Sequence, residues 1–252
     1  MTGGEDWSRL KARVSNRLAR HLCKVPFNLR NVDPMVSFTF DDVPESAATT
    51  GAAILDQYGA KATFYVSGGL VGKWSGHWQG ISRDGILELH RYGHEIACHT
   101  FSHLVASDLD AKKLDLEIED NRRYFRAIDP SIRIENFAYP YGAGSVRHKT
   151  QLSRLFRSSR GIVPGVNSGV ADLHFLRSTP LINRDIDLDG IDPAFDEAVA
   201  KNGWLIFYSH DVAAEPSPYG CSPDLLRHAL DAASQRGIAI MTVADALRAS
   251  GT

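Results

Sequence analysis

Carboxylate and imidazole side chains stand at two points of the sequence where they could share a metal ion. Asp41 and Asp42 follow the apolar run 36–40, and His99 and His103 stand four residues apart. One carboxylate and two imidazoles suit a divalent cation such as zinc, cobalt or nickel, with one position left open. On a helical turn, the two histidines would project from the same face. With Asp42 as the third ligand, these residues predict a hydrolase that activates water with a metal.

A second carboxylate stands next to the candidate metal ligand, where it could serve as a base. Successive residues of an extended strand point to opposite sides, so one carboxylate can bind the metal while the other accepts a proton. Adjacent carboxylates after an apolar strand are also unfavourable unless they are neutralised. The alternative is an ordinary turn in which Asp41 and Asp42 cap the next helix, while His99 and His103 have structural roles.

Composition sets the class of protein. The chain has 252 residues, 43% of them hydrophobic, which fits one large domain or two small ones. A net charge of −2 gives the whole molecule no bias toward nucleic acid. Three cysteines without CxxC spacing predict reduced thiols and no disulfide framework. The sequence contains no apolar run of about 18 residues and no secretory signal, so we expect a cytoplasmic location.

The first 30 residues differ from the remainder of the chain. They hold seven Lys and Arg residues but only Glu5 and Asp6 as acidic residues. Apolar residues recur there at helical spacing, namely Trp7, Leu10, Val14, Leu18 and Leu22. The helix could lie on an anionic membrane surface, or it could dock its apolar stripe on the domain. We predict an N-terminal helical extension over 1–30 and a single domain over 31–252; the sequence does not predict an oligomeric state.

The elements that position the candidate residues follow an alternating pattern from residue 35 onward. Strands are predicted at 35–41, 62–66, 95–99, 136–139, 161–163, 179–184, 205–209 and 238–242. Helices are predicted at 47–58, 84–92, 111–128, 146–158, 194–201 and 223–236. Such alternation is typical of parallel strands with helices packed outside them. Seven or eight units favour an α/β barrel over an open sheet.

Candidate functional residues cluster at one end of these strands. Six of them lie at or just past the carboxyl ends of different predicted strands, namely Asp41, Asp42, His99, Tyr141, Asp185 and His210. In a parallel barrel those ends meet at one rim, where active sites are built. Residues spread over the chain are therefore expected to converge.

Four motifs in this order resemble those of the polysaccharide deacetylases, also known as carbohydrate esterase family 4 or NodB-homology enzymes. They are Thr39–Asp42, His99–His103, Tyr139–Gly142 and Tyr208–His210. The similarity covers residues 35–247. It implies a distorted (β/α) barrel and a hydrolase of non-peptide carbon–nitrogen bonds, which removes acetyl groups from a carbohydrate with the help of a metal, most often zinc.

The resemblance also implies roles for individual residues. The metal ligands would be the three residues named above, and Asp41 would be the general base. The N–H group of Tyr141, on a turn shaped by Pro140, would stabilise the oxyanion. His210 would be the general acid that protonates the leaving group.

The family normally orients this histidine with a carboxylate. The candidates are Asp185 and Asp187, with Asp185 preferred because it directly follows the predicted strand core. Asp211 remains a competing partner for His210 because it is adjacent in the sequence.

The chain departs from the family pattern at three points. An arginine that many members carry three positions before the motif tyrosine is replaced by Ala138, and Arg177 or Arg184 is the expected substitute. Without a substitute, the pKa of Asp41 would be higher. Val43 stands where the first motif usually has glycine, and the fourth motif has no tryptophan after its aspartate.

The substrate is less well defined by the sequence than the reaction. Trp74, Trp78 and Tyr219 lie in predicted loops, where they could stack on sugar rings or form small satellite cores. Together with Pro140, Tyr141 and Arg177, the tryptophans are our candidate substrate contacts. Two alternatives to an acetylated carbohydrate substrate stay open: hydrolysis of small cyclic amides or imides, and non-catalytic carbohydrate binding. An intact base and an intact acid speak against the second.

Overall fold

The computed structural model describes residues 14–22 and 25–251. Its strands are β1 (Pro26–Asn28), β2 (Met35–Asp41), β3 (Thr63–Val66), β4 (Glu95–Cys98), β5 (Asn136–Ala138), β6 (Ser158–Arg160), β7 (Val170–Asp172), β8 (Thr179–Pro180), β9 (Trp204–Ser209) and β10 (Ala239–Ile240). Its helices are α1 (residues 14–21), α2 (Ala52–Gln57, preceded by a π-helical turn at Ala47–Gly51), α3 (Arg83–Arg91), α4 (Ala111–Arg126), α5 (Val146–Leu152), α6 (Leu188–Ala200), α7 (Pro223–Gln235) and α8 (Val243–Ala249).

One curled parallel sheet forms the centre of the fold. Its strand order is β6-β5-β4-β3-β2-β9-β8, and β10 pairs with the start of β2. The segment 176–180 connects the two edges, because Leu176 forms a bridge to Arg160 while β8 pairs with β9. The prediction of a distorted (β/α) barrel with seven or eight parallel strands is therefore confirmed.

The central strand β2 carries the first motif. All seven of its residues are buried, as expected for a strand covered on both sides. Its apolar residues Val36, Phe38 and Phe40 join the main hydrophobic core. The alternate positions Ser37, Thr39 and Asp41 are polar and face the other way, so that Asp41 is directed to the opposite side from Phe40.

The strand after α5 lies earlier in the chain than predicted. The helix ends at Leu152, not at residue 158, and β6 occupies Ser158–Arg160, not 161–163. Pairing explains the difference: Ser158 is the register partner of Asn136, and its hydroxyl donates to the Asn136 side chain at 2.8 Å. Tertiary pairing thus overrides the local helical pattern.

The described part of the N-terminal segment packs against the barrel. Helix α1 buries Ala19, and β1 forms an antiparallel pair with β7 that the sequence did not predict. The predicted helical positions Trp7 and Leu10 lie outside the described residues. Within 14–22 and 25–251, no helix has the length and apolar character needed to cross a membrane. The division at residue 30 stays a prediction.

Candidate active site

Asp42, His99 and His103 meet at the carboxyl ends of β2 and β4. Asp42 Oδ1 lies 3.1 Å from His103 Nε2 and 3.7 Å from His99 Nε2. All three ligand atoms fall within 4.8 Å of one another. Zinc bonds of about 2.0–2.1 Å at tetrahedral angles would separate ligand atoms by about 3.3 Å. The two distances from Asp42 to the imidazole nitrogens are therefore close to those in a metal site.

Left-handed backbone, not a helix, brings these side chains together. The prediction of a helical turn over His99–His103 is wrong, because the segment is a loop. Its turns come from positive φ angles at Thr100 and His103, and Asp42 and Val43 also have positive φ. Non-glycine residues rarely adopt this conformation, and each such residue costs about 1–3 kcal/mol. Strain of this kind collects at functional sites when the surrounding structure enforces it.

Contacts from neighbouring elements hold the histidine loop. Glu117 of α4 is buried and accepts from the Ser102 N–H at 2.7 Å. The Ser67 hydroxyl donates to the carbonyl of His99 at 2.7 Å, and the Gly69 N–H donates to the carbonyl of Phe101 at 2.8 Å. The conformation of the loop is therefore fixed by the folded barrel, because α4 and the segment after β3 supply the partners.

Burial keeps both histidines neutral and available as ligands. Loss of solvent lowers the pKa of His99 to about 3 and the pKa of His103 to about 4. His99 Nδ1 lies 2.9 Å from the carbonyl of Ala138, which can only accept, so this nitrogen carries the proton. Its Nε2 lone pair is then directed at Asp42, the usual arrangement of a metal-binding histidine.

The donor set fits a divalent cation. Burial raises the pKa of Asp42 to about 6, and the neighbouring Asp41 adds to this effect, while His210 acts in the opposite direction. Asp42 Oδ1 is buried and makes no hydrogen bond to a described residue. An orphaned acceptor that faces two imidazole nitrogens is satisfied by a positive ion, and two imidazoles with one carboxylate suit zinc, cobalt or nickel.

Asp41 forms a buried ion pair with Arg160, whose Nη2 donates to both carboxylate oxygens. Burial alone would raise the pKa of Asp41, but Arg160 and the nearby His99 and His210 rings lower it. The raised pKa that we expected in the absence of a substitute arginine does not arise, because Arg160 is that substitute and holds Asp41 in its ionised form.

Arg160 replaces the family arginine from a neighbouring strand. It is the register partner of Ala138 in the β5–β6 pair, and it lies between the rings of Tyr65 and Tyr208 at 5.0 and 5.3 Å. The predicted substitutes are wrong. Arg184 pairs with Asp185, and Arg177 lies before β8 and donates to the carbonyl of Pro164.

Tyr141 and Pro140 lie on the turn after β5. Tyr141 has φ 57° and is 63% exposed, and its ring centroid lies 4.6 Å from that of His103. Its N–H group donates to no other described residue. The next residue must be glycine, because a Cβ at Gly142 would lie 2.2 Å from Ile162. The turn therefore presents a free backbone donor beside the candidate metal ligands.

A main-chain carbonyl, not a carboxylate, orients His210. Its Nδ1 lies 3.1 Å from the carbonyl of Tyr219, which leaves Nε2 as the free ring nitrogen. The predicted partners have other roles. Asp185 pairs with Arg184, and Asp187 caps α6 by accepting from the Gly190 N–H.

The third candidate, Asp211, acts on His210 indirectly. Its side chain is buried and accepts from both the N–H and the hydroxyl of Ser217. The Ser217 hydroxyl in turn accepts from the Tyr219 N–H at 3.1 Å, and a Cβ at Gly220 would clash with Asp211. Asp211 thus folds the loop that places the Tyr219 carbonyl. A main-chain partner of this kind leaves no signature in the sequence.

Of the two loop tryptophans, only Trp78 contacts the site. Its ring centroid lies 5.5 Å from that of His210 and 6.2 Å from that of Tyr219. Trp74 is 66% exposed and contacts no ring of the site among the described residues. Arg177, also predicted to bind substrate, instead donates to the carbonyl of Pro164 and contacts none of the described site residues. An aromatic wall made by Trp78 and Tyr219 therefore flanks His210, and Tyr141 flanks His103.

Comparison with known proteins identifies the family of the chain. The polysaccharide deacetylase family profile matches residues 29–155. The chain is 33% identical over 104 residues to the peptidoglycan-N-acetylglucosamine deacetylase of Bacillus cereus. The aligned region covers 40% of this chain and 44% of that protein. It is 26% identical over 196 residues to the chitooligosaccharide deacetylase of Sinorhizobium fredii, or 77% of this chain and 75% of that protein. The chain thus spans less than half the length of the Bacillus relative.

A solved structure shows the same fold. A family 4 acetyl xylan esterase from Clostridium thermocellum, in complex with a cobalt ion, superposes with a TM-score of 0.60 at 22% identity. The match covers 85% of this chain and 90% of that chain.

Proposed function

Because this chain belongs to the polysaccharide deacetylase family, we propose that it hydrolyses acetyl groups from a carbohydrate with a divalent cation held by Asp42, His99 and His103. The observation that carries the proposal is the meeting of these ligands with Asp41 and His210 at one rim, from three separate parts of the chain. A bound cation would polarise a water molecule and the acetyl carbonyl. We propose zinc as the cation. The xylan esterase structure contains a cobalt ion, which supports a transition metal of similar ligand preference.

The remaining steps belong to the side chains and backbone of this chain. Asp41, ionised beside Arg160, accepts a proton from the attacking water. The free N–H group of Tyr141 donates to the oxygen that becomes negative in the transition state. His210, with Nδ1 held by Tyr219, protonates the leaving nitrogen or oxygen through Nε2.

We propose an N-acetylated sugar as the substrate. The Bacillus and Sinorhizobium relatives are both named for the removal of acetyl groups from amino sugars or their oligomers. Trp78, Tyr219 and Tyr141 offer ring faces on both sides of the candidate ligands, and such faces pack well against the apolar faces of sugar rings. O-acetylated sugars are a second substrate class, supported by the name of the xylan esterase.

Acetate release from N-acetylated oligosaccharides tests the proposal. We expect activity with added zinc or cobalt, loss of activity after chelation, and recovery when the metal is returned. Asp41→Asn is expected to lower kcat by about 10²–10⁴ because the base is lost. Asp185→Asn is the matched control. We expect it to stay within about threefold of wild type because it does not contact His210.

Full activity of Asp41→Asn, or no acetate release by wild type from any acetylated sugar, would contradict the proposal. Turnover of cyclic amides without deacetylation of any sugar would instead support a hydrolase of small cyclic amides or imides. Sugar binding by wild type without any turnover would support a non-catalytic carbohydrate-binding protein.

A further inference from the structure

Helix α1 presents an apolar stripe that the barrel does not cover. Val14, Leu18 and Leu22 follow one another at helical spacing and are 51%, 47% and 45% exposed. The helix packs on the barrel through Ala19, which is fully buried. A helix that only docks on its own domain turns its apolar stripe inward. Here the apolar side chains of the stripe remain about half exposed to solvent.

The described part of α1 is basic, although the molecule as a whole is slightly acidic. Arg17 and Arg20 are exposed on α1, and neither forms an ion pair with another described residue. The first 30 residues carry seven Lys and Arg against two Asp and Glu, and the other 222 carry 21 against 28. A net charge of +5 on the segment therefore opposes −7 on the remainder. This separation would orient the molecule with α1 toward an anionic surface.

Helix α1 contacts the loop that follows the Tyr141 turn. The Asn16 side chain accepts from the Gly144 N–H at 3.3 Å, and Lys149 donates to the carbonyl of Leu22 at 2.8 Å. Gly144 follows the turn that carries Tyr141, so α1 contacts the same loop that forms part of the rim.

An open groove of about 720 Å³ separates the stripe from the start of α4. Val14 and Leu18 form one side, and the segments 107–110 and 145–148 form the other. Asp108 and Asp110 belong to this far side, and Asp110 accepts from the Lys113 N–H at the start of α4. The groove is therefore apolar on its α1 side and acidic on its far side, so anionic headgroups would be attracted to the basic side chains of α1 and not to the far wall.

We infer that α1 is a docking surface for an anionic lipid membrane, with Val14, Leu18 and Leu22 entering the interface and Arg17 and Arg20 contacting lipid phosphates. Basic amphipathic helices bind such surfaces by combining apolar burial with electrostatic attraction. Docking would hold the rim beside the membrane. That consequence rests on the proposed function, whereas the docking itself does not.

Flotation of the full chain with vesicles of phosphatidylcholine, with and without phosphatidylglycerol, tests the inference. We expect binding to the anionic vesicles alone and release at high salt. Leu18→Asp, which interrupts the stripe, and Arg17→Glu/Arg20→Glu, which reverses two charges, should each weaken binding by at least about tenfold.

Matched controls are available elsewhere on the surface. Leu116 of α4 is 46% exposed, so Leu116→Asp makes the same change on another helix. Arg133→Glu/Arg154→Glu makes the same charge change at two other exposed arginines. In both control variants, the affinity for anionic vesicles should fall by no more than about threefold, from the charge change alone. Circular dichroism establishes whether each variant is folded. If Leu18→Asp does not fold, the double variant Arg17→Glu/Arg20→Glu still tests the inference.

Three results would overturn the inference: no binding of wild type to anionic vesicles, wild-type binding by folded Arg17→Glu/Arg20→Glu, or a dimer in solution that Leu18→Asp dissociates. The last would assign the stripe to a second copy of the chain. Acetate release from a soluble oligosaccharide should be equal in wild type and all these variants. Failure of docking is thereby separated from failure of the deacetylase proposal.

Discussion

At the scale of single residues, the buried ion pair of Asp41 and Arg160 links the candidate base to the stability of the fold. Both side chains are buried, and Arg160 also donates to the carbonyl of Gly161 and the hydroxyl of Ser178. Removing one member of a buried ion pair leaves the other charge without a partner and costs about 3–5 kcal/mol. Removing both charges avoids that penalty.

We therefore predict that Arg160→Met lowers the free energy of unfolding by about 3–5 kcal/mol. Adding Asp41→Asn should recover most of the lost stability but none of the acetate release, because the base is then absent. Urea unfolding and an acetate assay on the same preparations measure the two effects. Arg177→Met, a surface control, should stay within about 0.5 kcal/mol of wild type. The ion pair would lose its assigned importance if Arg160→Met unfolded like this control.

Sequence patterns were sufficient to identify the candidate site residues that belong to short motifs at the ends of strands. Asp42, His99 and His103 meet because parallel strands share one rim, which alternation of elements predicts. Arg160 could not be found in the same way. It reaches Asp41 through the register of two strands, and the predicted strand began one residue after it.

At the scale of elements, turns with left-handed backbone shape the rim. The turn after β5 depends on Gly142, which has φ 61° and no room for a Cβ beside Ile162. Gly169 offers a close comparison. Its φ is 58°, and a Cβ there would meet no atom within 4 Å. The two positions share the same conformational demand but differ in steric room.

We predict that Gly169→Ala costs about 1 kcal/mol of stability, from the positive φ alone, and leaves activity unchanged. Gly142→Ala should cost about 1–3 kcal/mol more because Ile162 must move. It should also lower kcat by about tenfold or more, since the Tyr141 N–H is displaced. Thermal unfolding and acetate release measure both effects. Equal losses in the two variants would show that the close contact with Ile162 has no effect on the turn.

At the scale of the whole molecule, buried neutral histidines make stability depend on pH. Burial lowers the pKa of His94 to about 4 and that of His174 to about 4, from 6.5. His94 Nδ1 accepts from the Ala62 N–H at 3.1 Å, which requires the neutral ring. As the pH falls below 6.5, the unfolded chain binds protons that the folded protein does not. The stability from these rings is therefore complete above pH 6.5 and is lost as the pH falls toward 4.

We predict that the free energy of unfolding falls between pH 6.5 and 4 by up to about 1.4 kcal/mol per pH unit for each such histidine. His94→Gln keeps an acceptor for the Ala62 N–H but does not titrate, so its curve should be shallower. Ile96→Val, in the neighbouring strand, should lower stability by about 1 kcal/mol at every pH without changing the slope. Denaturant unfolding over a pH series provides the comparison. A His94→Gln curve parallel to that of wild type would exclude His94 as a source of the dependence.

The pairing of Ala138 with Arg160 limits how this barrel can be recombined with its relatives. A chimera that receives the segment 136–142 from an enzyme with the usual arginine would place two guanidinium groups around one aspartate. The reverse exchange would leave the recipient aspartate with none. Crossover points between β5 and β6 should therefore yield inactive hybrids, whereas exchanging both strands as one block should retain function.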